Sequence, residues 1–295
     1  MSLHGKKFYI LFFVSLSILF FCMAPKAFAS PFSTYPGAKA KAMAGAFTAV
    51  ADDPSSVWYN PAGFSTKRLQ CTLEWSQAPT IDEEYGPVET DQTSWFLGSI
   101  VNLEWFKLME LEAGLFFYSP YTAKYWAYDD GSRQKAWGHV HETYQILGIP
   151  VAKAFLDGRL RLGMTLEWVL IDIGGSDISY RDQWGWVDVY NMNEDSGGGL
   201  SGSIGAQGIL FENKDSSYNL TLGAVYRFKT STDIGNKAVV NEYDQGINSI
   251  FFDKPQSFDI GMAFNKSFPT KENICLSAQF GSTDWGGASS GNEDF

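Results

Sequence analysis

Five charged residues occupy alternate positions of strand-like runs whose other positions are apolar: Glu112, Arg161, Glu167, Arg227 and Asp259. With a side-chain period of two, each faces away from its apolar neighbours. Both signs occur, so the chemistry they fit best is ion pairing within a polar interior. Arg161 or Arg227 meeting a ligand carboxylate is the alternative. His139 and His141, at i and i+2, share one strand face. A metal site needs further ligands, and Glu142 falls on the opposite face, so a wet strand end is the better reading. Gly202, Gly205 and Gly208, spaced in threes, suit close backbone packing and not a phosphate cradle. No G-x-S-x-G motif, Walker loop or Ser/His/Asp set is visible. The expectation is a protein that is not an enzyme, with no metal and no cofactor.

The elements that must position these residues are strands. Leu160, Leu162, Met164, Leu166, Trp168 and Leu170 alternate with Arg161, Gly163, Thr165, Glu167 and Val169. Leu220, Leu222, Ala224, Tyr226 and Phe228 alternate with Asn219, Thr221, Gly223, Val225 and Arg227. Comparable runs lie near 69–75, 93–103, 108–119, 141–155, 199–211, 256–266 and 273–282, about nine strands in all. A soluble sandwich strand alternates in the same way. The connections decide between the two. Ala78 to Gln92, Pro120 to Val140, Ile173 to Gly198 and Ser231 to Pro255 are long. Glu104 to Lys107, Asp157-Gly158, Glu212 to Ser217 and Ser267 to Glu272 are short, and the Asp157-Gly158 step reads as a two-residue hairpin turn. Long and short alternate strictly, as in a transmembrane antiparallel β-barrel with short periplasmic turns and long outer loops.

Composition agrees. Aromatics make up 16% of the 295 residues, there are 29 glycines, and mean hydropathy is -0.14. After the leader no apolar run approaches the roughly 20 residues a membrane helix needs. A formal charge of -11 excludes nucleic-acid binding, which needs a basic footprint. Trp95, Trp105, Phe116 to Tyr118, Tyr125, Trp126, Trp168 and Tyr218 read as interfacial girdles, with sheet packing as the alternative. Trp184, Trp186 and Tyr190 fall in a long loop, as a landing surface for an apolar ligand or as loop packing. Cys71 shares the parity of Leu69, Leu73 and Trp75, whereas Cys275 is out of phase with Ile274 and Leu276, so no disulfide is expected.

Residues 1–29 read as an export signal. Lys6 and Lys7 precede the apolar run Phe8 to Cys22, and Ala27-Phe28-Ala29 is an A-x-A cleavage site. Residues 30–66 follow as a small-residue segment, GAKAKAMAGAFTAVADDPSSVWYNPAGF over Gly37 to Phe64, which fits the inside of a closed sheet as a plug. Residues 67–295 are the barrel. Nine strands is odd for a bacterial single-chain barrel, and the chain stops at Phe295 in what should be an outer loop, so the barrel reads as truncated at its C-terminal end.

Three stretches together resemble the FadL family of outer-membrane transporters. One is the plug, with Gly37, Gly45, the ADD of Ala51 to Asp53, and Asn60-Pro61-Ala62, similar to the family's N-terminal hatch. The second is Gly205 to Glu212 with Leu220 to Lys229. The third is Pro255 to Gly261 through Asp284-Trp285. The resemblance implies a fourteen-stranded barrel of which this chain supplies the hatch and about nine strands. It implies passive uptake of long-chain fatty acids or other hydrophobic small molecules across the outer membrane of a Gram-negative bacterium. It places Ser30 and Phe32 at an inner ligand pocket, and makes Gly37, Gly45, Asn60, Pro61 and Ala62 hatch or gating residues. The partners implied are an apolar small molecule and outer-membrane lipid. The competing readings are a hatch-bearing barrel that engages a protein partner in secretion or assembly, like the PorV relatives, and a general porin.

Overall fold

The computed structural model describes residues 36–64, 68–78, 91–107, 110–127, 135–175, 178–182, 185–190, 195–213, 217–230, 254–270 and 272–284; the side chains of 78, 91–92, 121–142 and 173–195 are not among those described. Among these residues two short helices, α1 (Ala38–Ala42) and α2 (Ser56–Tyr59), precede eleven strands: β1 (Leu69–Ala78), β2 (Asp91–Asn102), β3 (Glu112–Ala127), β4 (Lys135–Phe155), β5 (Leu160–Gly175), β6 (Ile178–Asp182), β7 (Gly185–Tyr190), β8 (Asp195–Glu212), β9 (Tyr218–Arg227), β10 (Gln256–Ser267) and β11 (Asn273–Asp284). The chain is all-β. Nine strands form one antiparallel sheet in the order β1-β2-β3-β4-β5-β8-β9-β10-β11, with β1 and β11 as its two edges. The β6–β7 hairpin pairs with the start of β4. Among the described residues no helix is long and apolar enough to cross a membrane, which says nothing of strands.

The two faces differ in kind. Leu73, Trp95, Leu97, Leu115, Ile149, Met164, Leu166, Trp168, Ile204, Ile260, Leu276 and Phe280 are all exposed on one face. The opposite face is covered from β2 to β10, and its buried members include Glu112, Thr165, Glu167, Ser201, Ser203, Thr221 and Arg227 together with Phe96, Ile100, Phe116, Tyr118, Ile146, Ile171 and Val225. In a water-soluble sheet the apolar side chains would be kept to the buried face. Here large apolar side chains line the open face as well, and the covered face is mixed. The period-two reading of β5 and β9 fixed each residue's side correctly, because one pleat sends neighbours to opposite faces.

The connections depart from expectation at both ends. The short link between β4 and β5 is four residues, Leu156 to Arg159, not two. Leu156 and Asp157 adopt left-handed φ of 53° and 55° before Gly158 at 83°, and the Gly158 N–H donates to the Phe155 carbonyl at 3.1 Å. The link before β3 is a 3-10 turn over Leu103–Phe106, capped by the Asn102 side chain accepting from the Glu104 N–H. Much of what the sequence placed in long loops is strand. β3 runs on through Pro120 to Ala127, with the register shifting between Tyr118 and Tyr121. Pro120 is tolerated there because the ladder is already interrupted. The stretch from Ile173 to Gly198 holds the β6–β7 hairpin. Cys71 and Cys275 are both free.

Candidate functional site

Residues 36–64 lie against the covered face of the sheet, and nearly every side chain from Phe47 to Phe64 is buried. Ala and Lys favour the single turn of α1. It ends where Ala44 and Gly45 take φ of 51° and 79°, and the Gly45 N–H closes back on the Ala40 carbonyl at 2.9 Å. Asp53 forms the turn that leads into α2 by accepting from the Ser55 N–H at 2.8 Å. Asn60 is the knot of the segment. Its side-chain amide donates to the Thr48 carbonyl at 2.9 Å and to the Ala206 carbonyl of β8 at 3.0 Å, while its oxygen accepts from the Ala62 N–H at 3.0 Å.

The sheet meets this backbone with glycine. A Cβ on Gly163 would stand 2.3 Å from the Pro61 oxygen, and one on Gly205 would stand 2.1 Å from the Asn60 side-chain oxygen. Gly223 approaches the Thr48 carbonyl as closely, and Gly261 lies against Ala49. Gly163 pairs with Gly205 across β5 and β8, and Gly223 pairs with Gly261 across β9 and β10. The working set is therefore cross-strand pairs. Of the three glycines spaced along β8, only Gly205 touches the segment; Gly202 faces the Thr165 carbonyl of β5, and Gly208 meets nothing closer than 3.6 Å.

Two kinds of contact complete the seat. Toward β2 and β3 it is aromatic: Trp58 meets Tyr118 edge-on at 4.7 Å, and Phe96 lies between Tyr118 and Phe116 at 5.9 and 6.3 Å. Phe116 and Tyr118 are thus buried on the covered side and are not girdle residues; they share the parity of Glu112. Toward β5 and β9 the seat is ionic. Arg161 donates to the Ala62 and Phe64 carbonyls and pairs with Glu112. Arg227 donates to the Trp58 and Tyr59 carbonyls at 3.1 and 2.8 Å and pairs with Asp259. Lys254, just ahead of β10, pairs with Glu167, and both are almost fully buried. Its ammonium also lies 5.5 Å from the Trp58 ring. Burial pushes the Lys254 ammonium below its ordinary value, while Glu167 opposes that shift. Further bonds run from Gln207 to the Ala49 carbonyl, from the Phe47 and Thr48 N–H groups to Gln279, and from the Gly37 N–H to Glu74 of β1. One segment is thereby tied to β1, β5, β8, β9 and β11.

All five charged residues singled out from the sequence fall here, and four form two ion pairs with each other. Lys254 escaped notice because it stands outside any periodic run. Gly37, Gly45, Asn60, Pro61 and Ala62 all belong to the segment. Ser30 and Phe32 lie outside the described residues, as does Trp184; the side chains of Tyr125, Trp126, His139, His141, Trp186 and Tyr190 do too. Among the described residues no group of three His, Cys, Asp or Glu side chains is placed to hold a metal ion. The fold and its site define an all-β chain with an ion-paired face covered by its own N-terminal segment. No family model, curated protein or solved structure matches the chain.

Proposed function

We propose that the sheet is the wall of an outer-membrane β-barrel of the FadL type, that residues 36–64 are its hatch, and that the protein admits long-chain fatty acids or other hydrophobic small molecules. The carrying observation is an open face lined with large apolar side chains set against a covered face that buries paired charges. An open apolar face suits hydrocarbon, and buried ion pairs suit a lumen filled by a plug. The hatch is bonded to five strands, which favours a closed channel over a general porin.

Apolar solutes gain about 0.8 kcal/mol for each CH₂ taken from water, so binding inside needs few polar contacts. Movement of the hatch would open the path. Its small side chains and its backbone carbonyls held by Arg161 and Arg227 make that movement a matter of exchanging hydrogen bonds, with little side-chain repacking on the ionic side.

The test is uptake of labelled oleate, compared with a hydrophilic solute of similar mass, in outer-membrane-competent cells that lack their own transporter. Selective oleate uptake is the expected result. Uptake of neither solute would overturn the reading in favour of a protein partner, and uptake of both would favour a porin.

A further inference from the structure

Charge on the open face of the sheet is confined to its two ends. Among the described strand side chains that face this way, the charged ones are Lys153 of β4 and Lys266 of β10 at the short-turn end, and Asp172 of β5 and Asp284 of β11 at the other. The spacing is the same at both places. Lys153 pairs with Leu162, and Asp172 stands ten residues further along β5. Lys266 pairs with Ile274, and Asp284 stands ten residues further along β11. Ten residues of antiparallel strand span about 34 Å. A tilt of about 40° reduces this to about 26 Å, against about 25 Å for the apolar band of a membrane barrel. The lysines and the aspartates thus mark opposite edges of one band.

Each lysine is backed by an aromatic ring. The Lys153 ammonium lies 5.8 Å from the Phe155 ring, and the Lys266 ammonium 4.6 Å from the Phe268 ring. Lys153 also faces the exposed Glu110 at 4.0 Å. Glu110, Glu104, Asp157 and Glu272 stand in the links between strands, beyond the edge of the band. Beside Lys153 a groove of about 630 Å³ opens in the apolar face, with the small Ala206 and Ala224 among the larger Leu162, Met164, Ile204 and Tyr226.

We propose that the short-turn end of the open face binds anionic glycerophospholipid, with headgroup phosphates on Lys153 and Lys266 and, at Lys153, an acyl chain in the adjoining groove. The inference rests on the membrane reading and names the lipid that this end meets. A lysine stem lies along apolar surface while its ammonium reaches the phosphate layer, and the ring beside it favours the cation at that boundary. Attraction to an anionic surface amounts to about a fivefold preference at each lysine. Asp172 and Asp284 repel the same phosphates at the far end, so the two sets of charges orient the chain between unlike leaflets.

The experiment refolds the full chain into phosphatidylcholine bilayers carrying spin-labelled phosphatidylglycerol or, separately, spin-labelled phosphatidylcholine. Electron paramagnetic resonance then reads the share of each probe held at the protein surface. Phosphatidylglycerol should be held in excess, equivalent to about a fivefold preference at each of two sites, and high salt should shrink that excess. Lys153→Gln with Lys266→Gln should remove it with circular dichroism unchanged, and Lys153→Arg with Lys266→Arg should keep it. Asp172→Asn with Asp284→Asn should raise it, and no rise would overturn the discrimination between the two ends. Equal retention of both probes by the parent chain, or an excess that survives the glutamine pair, overturns the proposal and leaves the membrane reading standing. Immobilisation of neither probe means that the open face does not meet lipid, and sinks both.

Discussion

β5 carries two sequences in one. Leu162, Met164, Leu166 and Trp168 face outward and are about half exposed, while Thr165, Glu167 and Val169, one position along, are almost fully buried. Removing bulk from the outer set leaves neighbours that are already open. Changing the inner set disturbs a fitted backbone, a glycine seat and paired charges. The difference teaches that the chain keeps its specific chemistry on the covered face, and asks of the other face only that it be apolar.

The largest effect should come from Gly163→Val. The added side chain would enter the Pro61 carbonyl, which is backbone and cannot swing aside. Residues 36–64 should become open to limited proteolysis while strand content by circular dichroism persists; a protected segment would break the glycine-seat account. Gly45→Val is a weaker tool, because Gly45 has φ of 79° and the substitution strains the turn as well as adding bulk.

Arg227→Ala comes next. It leaves Asp259 without its cation and two segment carbonyls without a donor. Losing one partner of a buried pair costs about 3–5 kcal/mol, readable as a lowered denaturation midpoint. On the outer face, Leu166→Arg should cost about 2–4 kcal/mol when the protein is refolded in bilayers, whereas an equal loss without lipid would contradict the membrane assignment.

Glu167→Gln should cost less, about 1.5–3 kcal/mol, and its signature is pH. Lys254 ionises less readily in the folded chain than at its unfolded value of 10.5. The unfolded state therefore binds more protons between the two values, and stability rises as pH rises through the folded pKa toward 10.5. Without Glu167 the folded pKa falls further, so the rise should start at lower pH and be larger. A flat difference between variant and parent across that range would refute the pairing. The smallest change should be Leu166→Ala, under about 1 kcal/mol without lipid, because that side chain is already exposed.

Much of this was legible in the sequence. Strand faces followed from alternation alone, and the charged residues on the covered face were visible before their partners were. Pairing was not, because Glu112 on β3 meets Arg161 on β5 across β4, and register across strands has no local signature. The glycine pairs were hidden for the same reason. Phe116 and Tyr118 could have been placed inside from their parity with Glu112; grouping aromatics by nearness along the chain obscured it. The extensions of β3 and β4 and the β6–β7 hairpin mix aromatic, charged and small residues, so a period of two is weak in them.

The central claim is that the apolar face meets lipid and the other face does not. Single-tryptophan variants retaining either Trp168, on the open face of β5, or Trp58, in the covered segment, would be refolded into bilayers with brominated acyl chains. Strong quenching of Trp168 and little of Trp58 is the predicted result. Equal quenching of the two, or none of Trp168, would contradict the account.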